Sequence, residues 1–412
     1  MRARSHKYPD SDDEKYIDTT YYDENQQYLD LGFQRLKKLD TFKYPEFTYL
    51  HKLFVDHNNL EMLPDSKYLP NLVYLTCAWN NLKNIPFYPN LVFLNIAGNK
   101  IRSCLEYQKS NIIYFDCSYN LGFCPDFNLP NCEQLYINDT ELESIDLDFF
   151  PKLSILDCSN NKLINILGGN NLVEINIQYN NIKKLPNWPE LIRLMADHNQ
   201  IVTLSTYPKM ISLNISYNNL VKINDQPILK KIIANNNVIE IIGNMPKLEL
   251  IDLSHNNIIN YNIPAKAEYV SLQFNPLTNI ILDEKVLKSI KELQINFETY
   301  KHIYSTYYQN IDAINILTNE EKLEQLLKKL DNILSKSISR YVFRRFKEIK
   351  FKEREMELLK ITCKIYSKFF PIDRNITLEE LFNIKEFHHL LKCITKFYYK
   401  TIVITLYFNG YL

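Results

Sequence analysis

Glycine is scarce in this chain, with only seven in 412 residues. That scarcity argues against loops that cradle phosphates, because backbone amides approach a phosphate closely where a side chain is missing. The sequence also has no G-x-x-x-x-G-K, G-x-S-x-G or H-E-x-x-H stretch. Nucleotide, serine-hydrolase and zinc-peptidase chemistry therefore lack a recognisable machinery, and no catalytic residue or cofactor is expected. Charge of one sign is not in excess, since Lys+Arg and Asp+Glu both number 48. No general attraction to nucleic acid or to a membrane follows. Long apolar runs are missing too: the best, Ile402 to Phe408, falls far short of the roughly 18 residues that a spanning helix needs. The opening MRARSHKYPDSDDEKYIDTTYYDEN has no apolar core of the signal-peptide kind. An intracellular, cytoplasmic protein is expected.

There is no C-x-x-C pair among the eight cysteines, which argues against a zinc site. Cys77, Cys117 and Cys158 stand at one recurring aliphatic position, and Cys104 and Cys132 at others. They read as small core residues.

What the chain does have is a repeat. In LNISYNNLVKI, residues 213 to 223, Asn218 sits among Leu213, Ile215, Leu220 and Ile223. The frame L-x-x-L-x-L-x-x-N-x-L-x-x-L recurs with its asparagine at Asn58, Asn80, Asn99, Asn120, Asn161, Asn180, Asn199, Asn218, Asn237, Asn256 and Asn275. Thr140 fills the one missing slot. The spacing is 19 residues from Asn161 onward and 19 to 22 before it. A degenerate copy from Leu29 to Leu39, with Gln34 in the asparagine slot, reads as an N-terminal cap. The L-x-L segment alternates like a strand, and repetition stacks such strands into a parallel sheet. The asparagine amide both donates and accepts, so it suits the backbone groups left unpaired where the chain turns after each strand. Prolines at 70, 89, 130, 151, 189, 208, 227 and 246 predict extended, polyproline-like or short 3₁₀ structure on the other side of each turn.

This frame resembles the leucine-rich repeat family, and its short repeats with L-P steps at Leu63-Pro64 and Leu185-Pro186 are most similar to the bacterial-effector branch. The resemblance implies an α/β solenoid, a horseshoe with a parallel β-sheet on its concave face, and a partner bound on that face. The expected organisation is an acidic flexible segment over 1–28, about thirteen repeats of 19–24 residues over 29–282, and a helical C-terminal module over 283–412. In that module Leu323, Leu326, Leu327, Leu330, Ile333 and Leu334 form one amphipathic face behind a capping box at Thr318 and Glu321. The composition, rich in Asn, Ile, Lys and Tyr, is similar to that of repeat proteins of giant DNA viruses, which would place the protein in a host cytoplasm or a virus particle.

Outward strand positions in the early repeats carry Phe54, Tyr74, Phe93, Tyr114 and Tyr136, and later ones carry Glu174, Asn176, Arg193, Asn214, Lys231 and Asp252. Clustered aromatic side chains give large contact area at low entropic cost, so the early patch, with Trp79, is the candidate partner-binding face. Stacking of the rings on one another, or cover by the acidic N-terminal segment, is the competing explanation. A second column before each asparagine, His57, Trp79, Tyr119, Tyr179, His198, Tyr217, His255 and Phe274, reads as a stacked structural row. Within LNISYNNLVKI, Asn214 and Ser216 are the residues expected to touch a partner.

Two further features lie near the C-terminus. His388, His389 and Cys393 fall short of a zinc ligand set, so no metal is expected. The run Arg340 to Lys352, with Phe343, Phe346 and Phe351, fits a buried helix face as well as a nucleic-acid surface, and the reading disfavours nucleic acid. Effectors with short repeats can carry a helical ubiquitin-ligase domain with a C-x-D motif. Here Cys363 precedes Lys364 and Ile365, and Cys393 precedes Ile394 and Thr395, so neither matches. The favoured function is a non-enzymatic protein-interaction scaffold, with an adaptor or catalytic role in ubiquitin transfer as the alternative.

Overall fold

Each turn of the chain begins with a strand of three residues whose middle side chain is aliphatic or aromatic and buried, while its two neighbours face outward. Tyr74–Thr76, Phe93–Asn95 and Tyr114–Asp116 are examples, with Leu75, Leu94 and Phe115 inside. The computed structural model describes residues 22–23, 27–39, 45–282, 284–296 and 299. The chain divides into two compact units, residues 1–201 and 202–412. Among the described residues, the first unit holds nine consecutive parallel strands, from Tyr28–Asp30 to Arg193–Met195. The second holds five, from Ser212–Asn214 to Glu292–Gln294.

The strands pair in strict register, so equivalent residues of successive turns stand side by side: Tyr74 opposite Phe93, Leu75 opposite Leu94, Thr76 opposite Asn95. This alignment places each buried Leu or Ile on its counterpart, and each contributes roughly 1.5 to 3 kcal/mol by leaving water. At the beginning of the first unit, Tyr22–Asp23 pairs antiparallel with Tyr28–Asp30. The segment expected to be flexible over 1–28 thus contributes a strand at 22–23, which covers an edge that would otherwise present unpaired backbone.

The asparagines do what the repeat frame predicts. Asn120, fully buried, donates through Nδ2 to the carbonyls of Ile96, Cys117 and Ser118 at 3.0, 3.0 and 3.1 Å. Its Oδ1 accepts from the Ile101 N–H at 2.9 Å. One side chain therefore ties its own turn to the preceding one. Asn80, Asn99, Asn161, Asn180 and Asn199 in the first unit, and Asn237, Asn256 and Asn275 in the second, repeat the set. At Thr140 the shorter side chain reaches only Ile137 O and Asn161 Oδ1. The Gly122 N–H turns instead to the Thr140 backbone carbonyl at 2.9 Å. Glycine there has φ +74 with open space around it, so the backbone supplies what the missing amide cannot.

On the other side of each turn the expectation of extended and 3₁₀ structure is met, with 3₁₀ segments at Pro45–Tyr49, Ser66–Tyr68, Leu105–Tyr107 and Leu147–Phe149. The extended stretches also pair with one another, which the sequence reading did not anticipate. Thr203–Leu204, Lys222–Ile223 and Ile241–Ile242 form a small parallel sheet, because turns of equal length bring equivalent residues into register. The residue before each proline closes the core: Leu69, Tyr88, Leu129, Phe150 and Trp188 in the first unit, Tyr207, Gln226 and Met245 in the second, are all buried. Their polar atoms find carbonyls one turn back, as in Tyr88 Oη to Pro64 O at 2.6 Å and Trp188 Nε1 to Gly168 O at 3.1 Å.

The repeat array runs past the boundary expected at residue 282. Glu292–Gln294 pairs with Tyr269–Ser271, with Ile290, Leu293 and Ile295 buried, and the short helix Glu284–Ser289 precedes it. This fourteenth turn keeps the apolar slots but carries Glu298 where the asparagine would fall, which is why the frame ended early in the sequence. The amphipathic stretch 323–334, the basic run 340–352, and Cys363, His388, His389 and Cys393 lie outside the described residues. Among the described residues, no helix is long and apolar enough to cross a membrane.

Replacing Asn120 by alanine removes one acceptor and three donor contacts from buried backbone. At about 1 to 3 kcal/mol for a buried group left unsatisfied, Asn120→Ala is expected to lower the urea midpoint and to speed exchange of the Ile101 amide at least tenfold. A variant with unchanged Ile101 protection would show that the amide is dispensable.

Candidate binding face

On the open face of the first unit's sheet, the five expected aromatic residues form one continuous row. Phe54 and Tyr74 lie 5.3 Å apart between ring centroids and are tilted. Tyr74 and Phe93 stack at 3.9 Å, Phe93 and Tyr114 at 4.0 Å, and Tyr114 meets Tyr136 at 5.2 Å, again tilted. All five are half-buried, so the competing explanation is correct in part: the rings do shield one another's faces along the sheet. Each ring nevertheless keeps part of its surface exposed, and Tyr28 meets Phe54 edge-on at 6.1 Å, so the aromatic contacts continue one strand further. Stacked pairs of this kind add about 0.5 to 1.5 kcal/mol each beyond their area, so the row is also a brace across the strands.

Trp79 belongs to a different row. It lies three residues beyond the strand Tyr74–Thr76, at φ +57, 46% exposed. It stacks at 6.0 Å on His57, which stacks at 4.3 Å on Phe33, and it reaches Tyr119 at 5.2 Å. Every residue in this column is left-handed, including His57, Tyr119, Tyr179 and His198 in the first unit and Tyr217, His255 and Phe274 in the second. Aromatic residues rarely adopt this conformation. Nothing in the residue types announced it; the constraint comes from the turn, which must present its backbone to the next asparagine. Gly98 occupies the slot between Trp79 and Tyr119, and a Cβ there would lie 2.5 Å from the indole Cε3. The glycine is what lets the indole bridge two turns. The rings stack for His57 with Trp79, for Tyr179 with His198 at 4.2 Å, and in the second unit for His255 with Phe274 at 4.1 Å, while Trp79 meets Tyr119 at a tilt and Phe33, outside the expected column, extends the row. Asp139, Asn160 and Asn236 interrupt it.

Between the rows run polar residues with a structural duty that the sequence reading missed. At the last position of many strands an Asp or Asn accepts a hydrogen bond from the amide two residues on: Asn95 from Ala97 at 2.9 Å, Asp116 from Ser118 at 3.1 Å, Asp157 from Ser159 at 3.0 Å, Asn176 from Gln178 at 3.2 Å. In the second unit Asn214 accepts from Ser216 N and Oγ, and Asp252 from Ser254. Such side chains fix the turn that leads into the left-handed residue. Asn214 and Ser216, expected to meet a partner, thus bond each other, and Ser216 is buried. The recurring D/N two residues before a small residue was the available signal.

The carboxylates in this strip are unevenly served. Asp56 accepts from Thr76 Oγ1 and from the Ala78 N–H at 2.7 Å, yet burial raises its pKa above the ordinary 3.8. Burial likewise raises Asp116, with the Asp157 charge adding to the effect. Burial pushes up the phenols of Tyr74, Tyr114 and Tyr136, and neighbouring carboxylates add to each shift. Five described cysteines are buried thiols of little reactivity: burial lifts Cys104 and Cys132 to about 12 and Cys77, Cys117 and Cys158 well above the usual thiol range. Cys124 is exposed, and partial burial of its sulfur with the neighbouring Asp126 charge raises its thiol too. Among the described residues no group of His, Cys, Asp and Glu is arranged to hold a metal.

Comparison with known proteins agrees with this architecture. The chain is 45% identical over 425 residues, covering all of both chains, to a putative leucine-rich repeat protein, R380, of Acanthamoeba polyphaga mimivirus. Solved structures with the same fold include the leucine-rich repeat domain of APL1B, with 19% identity, 64% of this chain and 87% of that one covered, and a TM-score of 0.53. Another is the LRIM1/APL1C complex, at 18% identity, 93% and 79% coverage, and a TM-score of 0.51. At these identities the solved structures speak for the fold alone. No family model matches the chain.

Two measurements test the local physics. Asn95 makes the same turn bond as Asp116 without a charge, so Asp116→Asn keeps the bond and removes a desolvated carboxylate. Because the folded pKa of Asp116 is raised, its contribution to stability is present below the ordinary value and is lost as pH rises through the folded value. Asp116→Asn is therefore expected to melt higher than wild type at pH 7 and to lose that advantage near pH 3; a lower melting temperature at pH 7 would refute the assignment. Gly98→Ala meets both the positive φ and the indole, and at about 1 to 2 kcal/mol for the backbone term alone it should destabilise clearly. In a Trp79→Ala background only the backbone term remains, so equal losses in both backgrounds would rule out the indole contact.

Proposed function

The chain belongs to the leucine-rich repeat family, and from that premise we propose that it is a non-enzymatic scaffold that binds a protein partner on the open, concave side of its first unit. The observation that carries this reading is the row Phe54, Tyr74, Phe93, Tyr114 and Tyr136, five rings on one face of a rigid sheet. Strands in fixed register hold the rings at little further entropic cost, which is the property of interface anchors. Trp79 and Tyr119, displaced beyond the strand ends, supply a second exposed edge at the rim of that surface. A solved neighbour of this fold is itself a complex, LRIM1/APL1C, in line with the use of such arrays for association. The thiols of Cys77, Cys104, Cys117, Cys132 and Cys158 are buried, and the exposed Cys124 is not part of the aromatic row. A role in ubiquitin transfer would have to rest on Cys363 or Cys393, and no observation favours it.

The test is in-cell proximity capture with the full chain, comparing wild type with a Tyr74→Ala/Phe93→Ala/Tyr114→Ala variant whose fold is checked by circular dichroism. At about 1 to 2 kcal/mol or more per anchor, partner recovery is expected to fall at least tenfold. Undiminished recovery of every partner by a folded triple variant would remove the aromatic row as the binding face.

A further inference from the structure

The chemistry of the partner can be read from what surrounds the rings. From Phe54 to Asn160, the outward strand positions and the turns after them carry Asp56, Asp116, Asp139 and Asp157, and no Lys or Arg. Lys52 shares the strand of Phe54 and stands in register beside Tyr74, and farther along the sheet Arg193 is held by Glu174 at 2.9 Å. Among the described residues no cationic side chain forms an ion pair with Asp56, Asp116 or Asp157; their bonds are to Thr76, Ala78, Ser118, Ser159 and Asn176. Three of these four carboxylates border the aromatic row directly: Asp56 lies close enough to Tyr74, Asp116 to Tyr114, and Asp116 with Asp157 to Tyr136, for the charge to act on the phenol. Among the described residues, this hydrophobic strip is therefore edged by carboxylates that no Lys or Arg side chain pairs.

We propose that this face takes an extended, arginine-rich segment of a partner protein, an assignment that rests on the reading of the face as a docking surface. The aliphatic stem of an arginine packs on ring edges while its head remains polar, which suits the stacked trio Tyr74, Phe93 and Tyr114. The half-buried, tilted ring of Tyr136, at the end of the row away from Tyr28, offers a surface on which a guanidinium can stack. The guanidinium forks then meet Asp56, which accepts from Thr76 and from the Ala78 N–H of the next repeat through Oδ1, and Asp116, whose turn bond to the Ser118 N–H is likewise made through Oδ1. Successive strands lie about 4.8 Å apart, so the five-ring row spans roughly 19 Å, the reach of about six residues of extended chain. A nucleic acid would be repelled by the same carboxylates, and a neutral apolar segment would leave them desolvated without a partner.

The test uses the full chain and a fluorescein-labelled ten-residue peptide in which arginine alternates with serine, with a second peptide carrying citrulline at each arginine. Citrulline keeps the shape and removes the charge. Fluorescence anisotropy is expected to show the arginine peptide binding at least tenfold more tightly than the citrulline peptide, with affinity falling as salt is raised. In Asp56→Asn/Asp116→Asn, the amide at position 116 retains the turn bond that Asn95 makes natively and the amide oxygen at position 56 can still accept from Thr76 and Ala78, so the variant should lose at least tenfold while melting no lower than wild type. Glu61→Gln/Glu106→Gln/Glu143→Gln, which removes exposed charge elsewhere, should bind as wild type. Equal binding of the two peptides, or full binding by the Asp56/Asp116 variant, overturns the proposal. If captured partners are lost with the aromatic triple variant but kept with the Asp56/Asp116 variant, the face is a docking site of non-cationic preference, and this inference alone fails. Partners kept by both variants would remove both readings.

Discussion

The fold depends on one requirement: backbone amides and carbonyls left without ladder partners where the chain turns after each strand must be satisfied without water. A primary amide is the smallest side chain that can accept from one turn and donate to carbonyls of two, and Asn120 does so with four bonds between 2.9 and 3.1 Å. Once that residue is fixed, the rest of the turn follows. The residue before it is driven to positive φ, the Asp or Asn at the strand's end tightens the bend, and the aliphatic residues on either side are held inward. Thr140 shows the rule by its exception, because the bond it cannot make is taken over by the backbone, with a glycine free to reorient.

The same constraint creates the surfaces available for function. Forcing a left-handed turn at each repeat carries the side chain at that position out of the sheet, so Trp79 and Tyr119 stay exposed although they are aromatic. In-register pairing aligns one outward residue per turn, so a row of rings forms wherever successive repeats carry Phe or Tyr there. Carboxylates that close the turns are desolvated next to those rings. Structural bonds and candidate contacts thus come from the same few positions, which links the cost of burying Asp56 and Asp116 to what they offer a basic partner.

Much of the fold was legible because the repeat period is short and its key residue is chemically distinctive. The ladder asparagines, the buried cysteines at 77, 117 and 158, and the row from Phe54 to Tyr136 stand where the frame put them. Legibility failed where a position's role depends on backbone conformation. The left-handed column has no residue preference that betrays it, since His, Trp, Tyr, Asp and Asn all occur there. Asn214 and Ser216 read as free surface, yet they bond each other. The fourteenth turn was missed because Glu298 replaces the amide, although Ile290, Leu293 and Ile295 keep their places in the core.

By itself, the sequence determined the period, the parallel stacking and the identity of the turn-holding amide, because these follow from which side chains can bury and which can bridge two turns. Only the tertiary structure decided that Tyr74, Phe93 and Tyr114 stack face to face, that Gly98 makes room for the Trp79 indole, and that among the described residues no Lys or Arg pairs with the carboxylates beside the rings. Those are relations between residues 19 to 22 positions apart, set by register and turn geometry, and a one-dimensional pattern carries the spacing without the distances.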